Sequence, residues 1–158
     1  MKILLVADDL TGALDSSVAF SEHGFSVLCA LAPEHLGRVL DLQADVVAVS
    51  ANSREISEKE AVRRIEQIML DARTHPDWRG ATVFKKVDSR LKGHVAAEVS
   101  VVARDRQEVL VCPAIPRLGR FVKNGAVCGA GVTVPIPVAE RVRCRPEYVI
   151  DAVSDADL

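Results

Sequence analysis

The chain has 158 residues, of which 49% are hydrophobic and 27% charged, and its formal net charge is −2. This composition is typical of one globular domain with a hydrophobic core, and it excludes an intrinsically disordered chain. The small net charge gives no basis for binding nucleic acid or an anionic membrane, and no apolar run approaches the roughly 20 residues that span a bilayer.

Apolar, β-branched runs alternate with segments of helical period through the first half of the chain. The pattern predicts strands at residues 3–7, 25–31 and 46–50, and a helix at residues 11–23 that ends at Gly24.

A second helix is predicted to begin at Ser57. Ser57 and Glu60 form a capping-box pattern, in which hydroxyl and carboxylate each satisfy a free backbone donor. The apolar residues that follow share one face of this helix: Ala61, Ile65, Ile68 and Ala72.

A fourth strand is predicted at residues 82–87 and a fifth at residues 109–112, separated by a helix with Val95, Val99 and Val102 on one face. The pattern then weakens. Residues 132–137 suggest a short edge strand, because proline cannot donate to a ladder. We interpret residues 141–146 as a linker, residues 148–151 as a strand and residues 154–157 as the start of a helix.

Strands that are apolar on both faces and separated by helices indicate a parallel sheet that is covered on two sides. The sequence therefore predicts an α/β fold in three layers, with a mostly parallel sheet and helices on both faces.

Polar clusters follow three of the predicted strands. They are Asp8-Asp9, then Asn52-Ser53-Arg54, then the basic run from Lys85 to His94. In open parallel sheets, ligands collect at the carboxyl ends of the strands. Structural roles stay open for each cluster: Asp9 could cap the following helix, Arg54 could be a solvated loop residue, and the lysines could form an exposed face.

Two adjacent carboxylates repel each other unless a ligand, cation or base compensates them. Carboxylates accept hydrogen bonds from hydroxyl groups, while arginine and lysine neutralise a carboxylate or phosphate. Gly93 and the helix N-terminus beyond it add backbone N–H donors. The combination predicts a pocket for a small, hydroxylated anion. We expect Lys85 and Lys86 to point to opposite sides of their strand.

Four ordered motifs carry a family resemblance. They are Ala7 to Asp15, Asn52-Ser53-Arg54, Lys85 to Ser89 with Leu91 and Gly93, and Pro113 to Pro116 with Gly119-Arg120 and Gly125. Together they resemble the four-carbon acid sugar kinase family. The resemblance implies an ATP-dependent kinase that phosphorylates threonate, erythronate or a 3-oxo-tetronate, with an amino-terminal domain for the sugar acid and a carboxyl-terminal domain for ATP.

By position in these motifs, eight residues are expected to bind the sugar acid: Asp8, Asp9, Arg54, Lys86, Asp88, Ser89, Gly93 and Arg120. Asp9 is the catalytic candidate, because it could orient or deprotonate the attacking hydroxyl. Arg54 and Lys86 would hold the carboxylate of the substrate. The resemblance also implies ATP and Mg²⁺, bound mainly outside this chain.

The chain departs from the family pattern in several places. The family usually has Asp-Ser-Thr-Leu-Arg-Gly-Asn where this chain has Lys92 for arginine and His94 for asparagine, and lysine lacks the bidentate fork. No G-x-x-x-x-G-K-[ST] phosphate loop is present. We therefore expect an acid-sugar-binding domain at 1–140 and a linker with a remnant strand and helix start at 141–158, without the ATP-binding domain.

Three alternatives remain open at this stage. The chain could be a truncated, non-catalytic binding module, or one partner of a separate ATP-binding chain. A signalling receiver domain fits less well, because it needs an aspartate after the third strand, where this chain has Ala51 and Asn52. The sequence does not decide which sugar acid binds, nor whether the chain forms a homo-oligomer.

The four cysteines, Cys29, Cys112, Cys128 and Cys144, are far apart and form no C-x-x-C pair or zinc spacing. The N-terminal segment is too short for a secretory signal. These features favour reduced thiols, no metal site and a cytoplasmic location.

Overall fold

The structure is a computed structural model that describes residues 1–105 and 109–157. It contains one parallel and one antiparallel sheet. In chain order the strands and α-helices are β1 (Ile3–Ala7), α1 (Leu10–Glu22), β2 (Val27–Ala30), α2 (Leu36–Leu40), β3 (Val46–Ser50), α3 (Glu58–Thr74), β4 (Thr82–Lys86), α4 (Val95–Ala103), β5 (Arg120–Lys123), β6 (Ala126–Gly129), β7 (Ile136–Pro137) and α5 (Val138–Val142).

The parallel sheet has the order β2-β3-β1-β4, and β1 pairs in parallel with both β3 and β4. Successive side chains of β1 alternate between two cores. Leu5 packs with Ala13 of α1, whereas Leu4 and Val6 pack with helices α2, α3 and α4 on the other face. The predicted α/β fold, with helices on both faces of a mostly parallel sheet, is confirmed.

The helix ends follow local chemistry. Asp9 caps α1, since its side chain accepts a hydrogen bond from the Gly12 N–H, and Ser57 caps α3 by accepting from the Glu60 N–H. Only the hydroxyl half of the predicted capping box forms as expected, because the Glu60 carboxylate is engaged by Arg63 and Arg64 instead.

The antiparallel sheet has the order β5-β6-β7 and covers a separate apolar core. This core is formed by Leu91, Val95, Val122, Val127, Val138 and Val142. The sequence indicated only loops and a short edge strand at residues 132–137, of which only the last two residues form a strand, β7. Strands β5 and β6 were missed because each is only four residues long and lies beside glycine-rich turns.

Two strand predictions in the second half are wrong. Neither residues 109–112 nor residues 148–151 form a strand in the described chain, and the two segments meet only through an isolated parallel bridge between Val111 and Val149. β-branched residues favour extended backbone, but a strand needs a partner along its length. The helix predicted to start at residues 154–157 is a single 3₁₀ turn.

The predicted linker at residues 141–146 is also different in the structure. Arg141 and Val142 end α5, Val142 is buried, and Arg141 Nε donates to the Leu91 carbonyl at 2.9 Å. The segment therefore packs on the antiparallel sheet, because its valine completes that sheet's core. A domain boundary after residue 140 stays a prediction. No helix within the described residues is long and apolar enough to cross a bilayer.

Candidate functional site

The candidate site lies where three parallel strands end side by side. The register pairs Ala7, the last residue of β1, with Ser50 of β3 and with Lys86 of β4. The polar residues that directly follow these positions therefore emerge at the same edge of the sheet. This register brings the Asp8-Asp9, Arg54 and Lys86 segments together.

Arg54 joins the two adjacent aspartates. Its Nε donates to Asp8 Oδ2 at 2.8 Å and its Nη2 to Asp8 Oδ1 at 3.0 Å, while its Nη1 lies 2.7 Å from Asp9 Oδ2. The hydrogen bond to Asp8 is the main cause of a raised pKa for Arg54, and burial opposes it more weakly. The guanidinium is therefore the compensating charge that two neighbouring carboxylates require.

The two aspartates have different surroundings. The Asp8 side chain is 5% exposed and that of Asp9 is 30% exposed. Asp9 Oδ1 also accepts from the Gly12 N–H at 2.8 Å, so Asp9 both caps α1 and faces the site. Asp8 is therefore the buried anchor of Arg54, and Asp9 is the carboxylate that is open to solvent.

Lys86 supplies the second cation of the cluster. Burial lowers the pKa of Lys86, and the negative charges of Asp8, Asp88 and Asp9 partly offset that effect. Its Nζ donates to the Val87 carbonyl at 2.7 Å. Lys86 is thus half-buried among three carboxylates.

Asp88 is oriented by backbone donors. Burial raises the pKa of Asp88, but hydrogen bonds to its Oδ2 from the backbone N–H groups of Arg90 and Lys92 outweigh burial, helped by the charges of Lys92 and Arg54. Those bonds measure 3.0 and 3.3 Å. The net pKa is lowered, so Asp88 is held as a carboxylate.

Arg120 approaches the cluster through Ser89. Its Nη1 donates to Ser89 Oγ at 2.6 Å and its Nε to the Ala130 carbonyl at 3.1 Å, and Ser89 is buried. The antiparallel sheet thereby places one basic side chain beside the end of β4. Direct contacts thus join Arg54 to Asp8 and Asp9, and Arg120 to Ser89, whereas Lys86 and Asp88 interact with the cluster through charge. The roles of the eight predicted residues in binding stay predictions.

Three buried polar residues behind the site are not among the eight predicted site residues, although two of them, Ser53 and Lys85, lie in the predicted polar clusters. Lys85 Nζ lies 2.7 Å from Glu98 Oε2, and Ser53 Oγ donates to Glu98 Oε1 at 2.5 Å. The interpretation of Lys85 as part of an exposed face is wrong, although it does point away from Lys86 as expected. One sequence signal could have located Glu98: it lies three residues after Val95 and four before Val102, on the buried face of α4.

An apolar groove of about 660 Å³ adjoins the cluster. Its walls are α1, β4 and residues 112–118, and Lys86 lies at its edge. In the described part of the chain, no group of three or more His, Cys, Asp or Glu side chains is arranged to hold a metal ion. The acids of the site are instead held by Arg54 and by backbone donors.

Gly93 lies against this acid cluster in a left-handed backbone conformation with φ of +81°. A Cβ atom at this position would lie 3.4 Å from Asp8 Oδ2 and 3.7 Å from Arg54 Cγ. The backbone conformation therefore favours glycine here, and an added methyl group would lie in van der Waals contact with Asp8 and Arg54.

We expect Gly93→Ala to destabilise the fold by about 1–2 kcal/mol through the left-handed backbone, and its methyl group to occupy space beside Asp8 and Arg54 that a ligand would use. Gly24→Ala is the matched control, because Gly24 has φ of +83° and open space around it. Urea unfolding should show similar losses for both variants, whereas ligand titration should show weakened binding only for Gly93→Ala. Equal binding by the two variants would contradict the placement of Gly93 at the site.

A sequence model described as "Sugar-binding N-terminal domain" matches residues 3–146 of the chain. The chain belongs to this family. The matched range includes all eight residues that were predicted to bind the sugar acid. Together with the similar kinases described next, this match confirms the resemblance to four-carbon acid sugar kinases.

Several kinases of four-carbon acids are similar in sequence. A D-threonate kinase of Cupriavidus necator is 34% identical over 127 residues, covering 80% of this chain and 29% of the kinase. A D-erythronate kinase of Heliobacterium modesticaldum is 28% identical over 127 residues, covering 78% of this chain and 28% of the kinase. The chain thus spans less than a third of the length of these relatives.

A solved structure from Bordetella bronchiseptica, a domain of unknown function with bound citrate in a domain-swapped dimer, has a TM-score of 0.81 and 26% identity to this chain. The alignment covers 99% of this chain and 48% of that one. A protein of Haemophilus influenzae shares the fold, with a TM-score of 0.70 and 19% identity. The arrangement of strands and helices around the site therefore recurs in solved structures.

Proposed function

We propose that this chain is the substrate-binding part of an ATP-dependent kinase that phosphorylates a hydroxyl group of a four-carbon sugar acid, such as threonate, erythronate or 3-oxo-tetronate. The observation that carries the proposal is the contact of Arg54 with both Asp8 and Asp9 beside the half-buried Lys86. The kinase names of the relatives give the reaction class.

The site chemistry suits a hydroxylated anion. Arg54 and Lys86 offer positive charge to the carboxylate of the ligand, and Ser89 and Arg120 offer donors to its hydroxyl groups. Asp9 has the more exposed of the two carboxylates and accepts the hydrogen bond of the hydroxyl to be phosphorylated. In phosphoryl transfer this contact orients the nucleophile and removes its proton. The citrate-bound relative, whose ligand is also a hydroxylated acid, supports this ligand class.

ATP and Mg²⁺ belong to the proposal by family relationship. Phosphoryl transfer depends mainly on positioning and charge stabilisation, and bound Mg²⁺ supplies charge to the transferring phosphoryl group. The described residues offer neither a phosphate loop nor a metal-ligand cluster. The nucleotide is therefore assigned mainly to a separate ATP-binding domain or chain, and this chain alone is expected to bind the acid without phosphorylating it. Self-association, as in the domain-swapped relative, and a cytoplasmic location are also proposed.

The proposal is tested by calorimetric titration of the chain with D-threonate, L-threonate, D-erythronate and ATP. We expect saturable binding of at least one acid and none of ATP. Asp9→Asn should weaken acid binding by about 10- to 100-fold, the loss of a hydrogen bond to a charged group, while asparagine still caps α1.

Asp77→Asn is the control, because Asp77 is exposed and precedes the amino end of β4, whereas the site lies at the carboxyl ends of the parallel strands. Unchanged binding by Asp9→Asn would contradict the role of Asp9. A folded chain that binds none of the acids would contradict the proposed function and favour a non-catalytic remnant. Tight ATP binding would contradict the separate nucleotide domain.

Binding should take up a proton at alkaline pH. Burial lowers the pKa of free Lys86, and an adjacent ligand carboxylate stabilises its ammonium form, so the pKa rises on binding. Affinity should therefore be constant near neutral pH and fall as pH rises through a range that begins below the ordinary lysine pKa of about 10.4. Calorimetry in buffers of different ionisation enthalpy measures the uptake. Lys86→Gln should abolish it and Lys123→Gln should not; uptake by both variants alike would rule out Lys86.

A further inference from the structure

A buried, charged triad lies directly behind the candidate site. It consists of Glu98 on α4, Lys85 on β4 and Ser53 after β3. The Lys85 and Glu98 side chains are only 7% and 2% exposed, and Ser53 is fully buried. Burying an ion pair has a desolvation cost that apolar residues of similar volume avoid. The fold alone therefore gives no reason for this choice of residues.

The triad is connected to Arg54 through the backbone. Ser53 directly precedes Arg54, and its N–H donates to the Asp8 carbonyl at 2.9 Å while its hydroxyl donates to Glu98. Residue 53 is thus held from both sides. Because Arg54 must meet three carboxylate oxygens at once, a small rotation at residue 53 would break this arrangement.

The same carboxylate also restrains the end of β4. Glu98 Oε2 pairs with Lys85, whose neighbour Lys86 projects from the opposite face of the strand into the acid cluster. One buried side chain on α4 thereby contacts the two segments that carry Arg54 and Lys86.

We propose that Glu98 is a positioning residue of the sugar-acid site. By accepting from Ser53, it holds the backbone from which Arg54 reaches the ligand, while its pair with Lys85 balances the buried charge. Glu98 does not contact the ligand itself. The inference depends on the proposed function for its binding readout, but the restraint on Arg54 is measurable without any ligand.

The test compares two double variants, Lys85→Met/Glu98→Gln and Lys85→Met/Glu98→Leu. Both remove the buried charges and keep similar volume, and they differ in whether residue 98 has an oxygen that can accept from Ser53. Three quantities are measured: the Kd for D-threonate, the solvent exchange rate of the Arg54 Nε–H by NMR in the ligand-free chain, and the urea midpoint of unfolding.

We expect the Glu98→Gln version to stay within about threefold of the parent chain in both Kd and exchange rate. The Glu98→Leu version should bind about tenfold more weakly and exchange about tenfold faster, as for one lost hydrogen bond that involves a charged group. Equal values for the two versions would overturn the proposal. If the parent chain binds no D-threonate, the proposed function fails, and the exchange rate still decides the positioning role.

Ser53→Ala in the otherwise unchanged chain covers the case in which the leucine version fails to fold. Ser17→Ala is its matched control, because Ser17 is also buried and donates to the Ala13 carbonyl at 2.7 Å within α1. Ser53→Ala should accelerate Arg54 exchange about tenfold and Ser17→Ala should leave it unchanged. Identical exchange rates in the two variants would show that the loss of any buried serine hydrogen bond has the same effect, and would overturn the role of Glu98.

Discussion

Arg54→Ala should abolish detectable sugar-acid binding and destabilise the chain by about 2–3 kcal/mol, since it leaves a buried carboxylate without its partner. This destabilisation is smaller than that expected for breaking a fully buried ion pair. The Asp8 side chain is only 5% exposed, but that of Arg54 is 25% exposed. Arg54→Lys should have a stability and an affinity between those of the parent chain and of Arg54→Ala. Lysine keeps the charge but lacks the fork that meets both oxygens of Asp8. Urea unfolding at neutral pH and calorimetric titration measure the two effects.

Arg63→Ala is the control for this prediction. Arg63 also makes a two-point contact with a carboxylate, that of Glu60, at 2.9 and 2.7 Å. Its side chain is 71% exposed, so solvent screens the pair. We expect no measurable change in the unfolding midpoint or in binding for Arg63→Ala. A loss as large as that of Arg54→Ala would show that burial is not the cause of the difference.

Lys85→Met should have the largest effect on stability of any change considered. It leaves the Glu98 carboxylate buried without a counter-ion, and the expected destabilisation is about 3–5 kcal/mol. Domains of this kind have a total unfolding free energy of about 5–15 kcal/mol, so a substantial fraction of the variant could be unfolded under mild denaturant. The measurement is the unfolding free energy from urea titration followed by circular dichroism.

Adding Glu98→Gln to Lys85→Met should restore most of the lost stability, because no buried charge then remains. Lys123→Met is the control for the single change, since Lys123 is also in a strand but is exposed. If the double variant is less stable than Lys85→Met alone, the buried pair is not the source of the loss. Comparing the single and double variants measures how much the buried ion pair contributes to stability. The proposed effect of Glu98 on Arg54 is measured separately by the exchange rate.

The parts of the fold that were predictable depend on short stretches of chain. The strand at Ile3–Ala7 and the strand at Val46–Ser50 match the structure, because each is a continuous apolar run buried on both faces. The start of α3 at Ser57 was also predictable, since a hydroxyl cap acts within one turn. Residues 109–112 have a similar apolar character, yet they gain only a single bridge. Whether an extended segment becomes a strand depends on a partner elsewhere in the chain.

In the candidate site, too, some features were predictable from the sequence and others were not. A parallel sheet brings the carboxyl ends of its strands to one edge, so the proximity of Asp8, Arg54 and Lys86 followed from their positions after predicted strands. The sequence could not show that Arg54 contacts both aspartates, nor that Asp9 both caps α1 and faces the site. Those features depend on tertiary contacts between the segments that the register of β1 with β3 and β4 brings to one edge.

The sequence by itself determined the fold class, the family and the set of residues at the strand ends, because each of these depends on local pattern and motif. Only the tertiary structure decided that Lys85 is buried and that Glu98 holds Ser53, a contact between residues 45 positions apart. A buried charge is tolerated only where a partner lies opposite it, and local sequence does not specify which distant residue that partner is.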